Sequence, residues 1–448
     1  MKENNDLTTE PIPKLIRRIS VPVAIGFFFN TMFNVVDTYF GGKISTEALA
    51  ALSLSFPVFF LIIIFGSGLS TGTTAVIANA LGAKEIDKAK KLVAQAISFG
   101  LIVSVFLTIV GPLVSPSLFQ LLGASGDYLA LAVEYMDIIF FGALFFTMIA
   151  IMSAILQAAG NTTAYRNFLV GGFFLNIILD PWLLYGGLGL PAFGFKGVAI
   201  ATVLIQIVGT IYLWIEAKKR GLVGRQTWSE MKPDFHHYIE ILKQAGPASL
   251  NMVTVGIGIF VITYFINQFG QSAVAAYGIA TRVEQIILLP TIGITIACLS
   301  IIGQNNGAKK FGRVKETLMA CLKYGVAIMA FGGVLIYLFS RLIMSFFTDN
   351  AEVISIGAHY LKIASGITIA YAILFVTVSA LQGMKKPMYA VWIGLFRQIV
   401  APIAIFSFAI NYFDFGIDGI WWGIFGITWF AAIVTLFYAK HVFRNYDI

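Results

Sequence analysis

Leu81–Lys91 reads LGAKEIDKAKK, and 225 residues later Asn306–Glu316 reads NGAKKFGRVKE. The pairing sets Gly82, Ala83, Lys84 and Lys90 on Gly307, Ala308, Lys309 and Lys315. The same shift lays ALAALS, from Ala48, on AVAAYG, from Ala273, and carries Gln157 to Gln382. With a three-residue gap, FGFKG from Phe193 falls on FGIDG from Phe415. A match of this kind at one fixed offset marks an internal duplication. The longest polar stretch, EAKKRGLVGRQTWSEMKPDFHHYIEILKQ from Glu216, separates the copies, and the sequence predicts two lobes, 1–225 and 226–448.

Each copy is too greasy for a soluble domain. Hydrophobic residues make up 58% of the 448 positions and charged residues 12%, where soluble domains average about 45–50% and about 25%. Apolar runs of the length a bilayer demands, about 20 residues, recur at 16–39, 48–74, 92–114, 129–155, 164–186, 195–216, 245–267, 273–300, 315–340, 352–380, 389–411 and 419–439. The expectation is an all-α polytopic membrane protein of about twelve helices. Six spans per copy preserve orientation, so the two lobes form a parallel repeat about an axis along the membrane normal. Two facing lobes of this kind enclose a cleft that rocking opens to either side, which favours a transporter.

The net charge of +8 is distributed in a way that points to a membrane and away from nucleic acid. Basic residues gather in alternate loops: Lys14, Arg17 and Arg18; Lys84, Lys88, Lys90 and Lys91; Lys218, Lys219, Arg220 and Arg225; Lys309, Lys310, Arg313 and Lys315; Lys440 and Arg444. The loops between them carry Asp127, Asp349, Glu352 and Asp418. This positive-inside bias predicts a multi-pass protein of the cytoplasmic membrane with both termini in the cytoplasm. Cys298 and Cys321 lie in or beside apolar spans and read as small hydrophobes, and the four histidines are scattered. Neither set reads as a metal site, and no GxxxxGK[ST] phosphate loop occurs.

Against that apolar background a few polar groups stand out. Asn30, Asn34 and Asp37 in the first span are spaced i, i+4, i+7 and share one helix face. In the fifth span, LNIILDPW places Asn176 and Asp180 at i, i+4. A charge at mid-membrane costs roughly 2.5–3.5 kcal/mol on insertion scales. The repeat supplies a control: Asp37, Asn30, Asn34 and Asp180 map to Ile262, Val255, Ile259 and Ile405. The second lobe folds without these groups, so architecture alone does not require them. A carboxylate starved of water holds a proton or a hard cation, which makes the acids candidates for a coupling site. Pro22 and Pro181 sit in the same two helices and are candidate bending points. Phe33, Tyr135 and Ser153 are candidate cavity residues, and Arg282, Glu284 and Arg397 are the charges of the second lobe, for which a Glu284–Arg397 pair is one reading and substrate contact another.

With these features in place the chain resembles the multidrug and toxic compound extrusion (MATE) transporters. The resemblance covers nearly the whole chain and rests on LGAKEIDKAKK after the second span, the Pro22 to Asp37 spacing and NIILDP in the fifth span. It implies export of amphipathic, often cationic, organic compounds against inward flow of H⁺ or Na⁺, with no cofactor and as a monomer. In the family's DinF-like branch the residues matching Asp37, Asn176 and Asp180 form the coupling site. The NorM-like branch adds acids in the seventh and tenth spans, whereas PASLNMVTVGIGIFVITYFINQ from Pro247 has none, so the DinF-like branch is expected. Ser153 stands where that branch leads one to expect asparagine. A lipid-linked oligosaccharide flippase shares the two-lobe plan but calls for more deep cations than Arg282 and Arg397. An integral membrane enzyme would need gathered nucleophiles or ligands, which the scattered histidines do not supply.

Overall fold

The computed structural model describes residues 6–187, 189–411 and 415–444. With no water to satisfy it, backbone crossing a bilayer must bond within itself, and the described residues are almost entirely helical. The order is α1 (Ile12–Ile44), α2 (Thr46–Gly82), α3 (Ile86–Leu121), α4 (Gly126–Phe141), α5 (Ala143–Ala158), α6 (Thr163–Tyr185), α7 (Phe195–Lys219) and α8 (Arg225–Ser229). Then come α9 (Phe235–Asn267), α10 (Gln271–Gly307), α11 (Phe311–Ser345), α12 (Ala351–Gly383), α13 (Met388–Leu395), a π-turn (Phe396–Val400), α14 (Ala401–Asn411) and α15 (Gly416–Arg444). Among the described residues twelve membrane-length elements result if α4 and α5, bent by 49° at their junction, count as one span. The expected spans are all present. Their helices run past the apolar core by one to two turns because caps and basic residues continue them, as where Ser45 Oγ accepts from the Ala48 amide at 3.0 Å.

The duplication is visible in the backbone. Lys84 and Lys309, 225 apart, both take left-handed conformations, with φ of 59° and 55°, and so do Gly160 (74°) and Lys385 (60°). A lysine enters this region against a steric penalty of roughly 1–2 kcal/mol. Here the turn closes a helix C-terminus: Glu85 N–H reaches the Ala80 carbonyl at 3.0 Å, and Lys310 N–H reaches that of Asn305 at 2.9 Å. Both are the 6→1 bond of a Schellman cap, repeated in each copy.

The chain divides into two compact units that do not follow the midpoint of the sequence. One comprises Ile25–Ser249; the other joins Leu7–Ala24 to the chain from Leu250 onward. Helices α1 and α9 are therefore each shared, changing units two residues after Pro22 and Pro247, which are themselves 225 apart. In the first unit Ile241 and Ala245 of α9 are buried with Val76, Leu92 and Ile155. Gly72 of α2 lets α9 approach to backbone contact, because a Cβ there would stand 2.6 Å from the Ala245 nitrogen. In the second unit Leu15, Ile16 and Ile19 of α1 are buried with Ala297, Cys298 and Ile301. Gly293 of α10 meets the backbone of Ser20 in the same way.

Straps precede both shared helices. In the second unit Asn305 Nδ2 donates to the Leu7 carbonyl at 3.0 Å, Lys310 Nζ to that of Thr8 at 3.0 Å, and an Arg313 guanidinium N–H to that of Glu10 at 2.6 Å. In the first, Gln95 Nε2 donates to the Lys232 carbonyl at 2.8 Å, Gln95 Oε1 accepts from the Asp234 amide at 3.0 Å, and Lys91 pairs with Asp234 at 2.8 Å. The Lys91 ammonium beside Asp234 holds its carboxyl well below the usual carboxylate range.

Candidate functional site

Helices α1, α6 and α7 of the first unit converge on three polar side chains. Asn176 sits one helical turn before Asp180 on α6, as the i, i+4 spacing requires. Its amide nitrogen donates one hydrogen to Asp37 Oδ1 at 2.8 Å and the other to Asp180 Oδ1 at 2.9 Å. Asn176 and Asp180 are wholly buried, and Asp37 is 7% exposed. No lysine, arginine or histidine pairs with either acid among the described residues. Two carboxylates held by one amide, with no basic partner, repel each other when both are charged. The amide oxygen of Asn176 and Oδ2 of Asp180 are also buried without partners. An orphaned buried acceptor costs about 1–3 kcal/mol, and a proton or a hard cation removes that penalty. The donor set is all oxygen apart from the bridging amide nitrogen, which suits H⁺ or Na⁺.

Two further residues border the trio. Tyr135 of α4 is buried, stacks on Phe195 at 5.2 Å between ring centroids, and lies within electrostatic reach of both acids. Thr202 of α7 sits against Asp37 and donates its hydroxyl to the Val198 carbonyl at 3.0 Å. Sequence reading missed Thr202, although the repeat would have found it, since its counterpart is Ile424. It also passed over Asp137 of α4, whose Oδ1 is buried and unpartnered. The other first-lobe candidates are not part of the bonded trio. Asn34 is exposed and turns its amide back to the Asn30 carbonyl at 2.9 Å. Ser153 is buried and donates to the Ala150 carbonyl at 2.9 Å. Phe33 packs against the core of its unit. Pro22 and Pro181 lie inside helices that run through them unbroken.

In the second unit Glu284 is buried and takes a hydrogen bond from the Tyr360 hydroxyl at 3.1 Å. Tyr360 is the repeat counterpart of Tyr135, so each unit sets a buried acid beside the same tyrosine from unrelated positions. Tyr277, Tyr360 and Trp421 form an aromatic group around it, with centroids 4.6–5.9 Å apart. Arg397 turns elsewhere, lying 5.6 Å from the Tyr371 ring, and among the described residues no ion pair joins it to Glu284. Arg397 lies in a π-turn, where Pro402 has no N–H for the Gln398 carbonyl and the widened turn absorbs the loss. Arg282 is exposed. Tyr360→Phe should strip Glu284 of its donor and destabilise the unit by about 1–3 kcal/mol, read as a lower Tm of the purified protein, with transport largely retained.

Comparison with known proteins agrees with the duplicated helical plan. The family model described as MatE matches residues 22–182 and again 247–408, once per copy and starting at the two prolines. The Bacillus subtilis protein named Probable multidrug resistance protein YoeA is 27% identical over 77% of this chain and 75% of its own. The FAD transporter of Shewanella oneidensis is 26% identical over 89% of this chain and 88% of its own. A solved MATE structure in the bent conformation superposes over 100% of this chain and 99% of its own, at 26% identity and a TM-score of 0.93. Proteins of this family are multi-pass membrane transporters of small organic compounds, not enzymes; they need no cofactor and couple to ions. On the doubled family match and the helical plan that carries it, the chain belongs to the MatE family of multidrug efflux transporters.

Proposed function

We propose that this protein exports amphipathic, often cationic, organic compounds from the cytoplasm in antiport with H⁺ or Na⁺, and that Asp37, Asn176 and Asp180 carry the coupling ion. The observation behind the reading is the pair of buried acids tied by one amide, without a basic partner and with two unclaimed oxygens. Ion entry neutralises the acids, and ion loss leaves a charge that the apolar surroundings oppose. Site occupancy is thereby linked to conformation, and substrate that favours the other conformation is exchanged for the ion. Rocking of the two units and bending of α1 supply the motion. The reading is supported by α1 itself, whose halves belong to different units and meet just past Pro22. Pro22→Ala restores a backbone donor and stiffens this junction. It should slow efflux several-fold with expression intact, as judged by dye transport per unit of protein.

Dye efflux into everted vesicles tests the function, with the proton and sodium gradients collapsed separately. Efflux abolished by collapse of one gradient is the expected result. Efflux indifferent to both, or confined to FAD with cationic dyes untouched, would overturn the reading. The basic loops support a cytoplasmic-membrane protein with both ends inside, and protease access to tagged termini in intact cells checks this.

A further inference from the structure

A second site of quite different chemistry lies at the basic end of α7. Trp214, Lys218, Gly224, Arg225 and Trp228 line an open pocket of about 300 Å³. The two indoles stand 5.5 Å apart between centroids at 43°. Lys218 and Arg225 take part in no ion pair among the described residues, because the acid on this turn, Glu216, is engaged by Lys219 at 2.7 Å. The loop that closes the cavity is held in place. Leu222 and Val223 are buried, the Leu222 amide caps α7 at the Ala217 carbonyl at 3.0 Å, and the Thr227 hydroxyl accepts from the Gly224 amide at 2.9 Å.

Below the cavity, α7 presents a continuous stripe of exposed apolar side chains. Leu204, Val208, Ile211 and Ile215 are 39–56% exposed, and Trp214 and Lys218 extend the stripe at i+3 and i+7 from Ile211. Along one helix face the chemistry therefore runs aliphatic, indole, cation. A phospholipid presents this order in complement: acyl chain, glycerol and ester region, phosphate. Tryptophan settles at the ester level, and basic pockets at this depth select anionic headgroups. The repeat counterpart of Trp214 is Leu436, so closing this helix end does not in itself demand an indole.

We propose that this cavity binds the headgroup of an anionic glycerophospholipid from the leaflet on the side of the basic loops. Lys218 and Arg225 hold the phosphate, the two indoles hold the glycerol region, and the acyl chain lies along the α7 stripe. The site is confined to the first unit, and its test reads lipid binding rather than transport, so it stands or falls apart from the coupling site.

Delipidated protein in neutral detergent is titrated with phosphatidylglycerol and with phosphatidylcholine carrying brominated chains, and the quenching of tryptophan emission is followed. Wild type should bind phosphatidylglycerol about tenfold more tightly than phosphatidylcholine, and Lys218→Ala/Arg225→Ala should erase that preference. Lys218→Arg/Arg225→Lys should retain it, which separates charge from folding. Trp214→Phe/Trp228→Phe should remove the part of the quenching that differs between the two lipids, while exposed Trp392 and Trp422 are still quenched by both. Equal binding of the two lipids by wild type, or a preference that survives the double alanine variant, would overturn the proposal. So would displacement of the lipid by millimolar inorganic phosphate, which would identify a site for soluble anions.

Discussion

Asp37→Asn is expected to reduce gradient-driven efflux to background while the protein remains folded. Asparagine is nearly isosteric with aspartate, and its amide oxygen can still accept from Asn176, which now donates at 2.8 Å. The fold therefore keeps its hydrogen bond, and only the ionisable oxygen is lost. One charge moving through about 100 mV carries about 2.3 kcal/mol, enough to sustain a concentration ratio of roughly fiftyfold. Without the charge the ratio that the gradient supports should fall to about one. Asp180→Asn should act alike, and the two should not add, because both acids serve one amide-bridged site. The measurement is the steady-state dye ratio across vesicles containing equal amounts of wild type and variant.

Gly72→Val should remove most of the folded protein. A Cβ at Gly72 stands 2.6 Å from the Ala245 nitrogen and 2.8 Å from its Cα. The obstacle is backbone, so no rotamer change relieves it. Helices α2 and α9 must separate where α9 is held in the first unit, and the loss exceeds the 1–3 kcal/mol or so of ordinary overpacking. Gly171→Ala is the control, since nothing lies within 4 Å of its added carbon and its effect should be small. The yield of monodisperse protein after size-exclusion chromatography reads both.

The helical plan was legible because it rests on features that sequence states directly: apolar runs of membrane length and a duplication at constant offset. The Asn176–Asp180 pair was legible for the same reason, whereas its meeting with Asp37 across two helices was implied only by the family resemblance. Asn176 and Asp180 share a helix face by spacing, and the repeat showed that the second lobe does without the acids. The sharing of α1 and α9 between units was not legible, because each reads as one uninterrupted apolar helix and only long-range packing assigns its halves. Pro22 and Pro247 mark the junctions, yet a proline by itself does not say which partner each half of its helix will choose. Asn34 shows the limit of face arguments: it lies on Asp37's side by periodicity, but its short side chain finds the Asn30 carbonyl first. Thr202 was overlooked because a hydroxyl in an apolar span ordinarily satisfies itself on its own helix, as its bond to Val198 also does. The bend between α4 and α5 at Gly142 was invisible within 129–155, where hydropathy is continuous and one glycine gives no direction.

The central claim is that Asp37, Asn176 and Asp180 bind the ion that substrate displaces. It is tested most directly by adding a transported dye to purified protein in a weakly buffered solution and recording released protons, with bound ²²Na⁺ followed in parallel. Wild type should release one of the two ions in proportion to dye bound, and Asp37→Asn/Asp180→Asn should bind dye and release neither. Undiminished ion release from the double variant would place the coupling elsewhere and contradict the account.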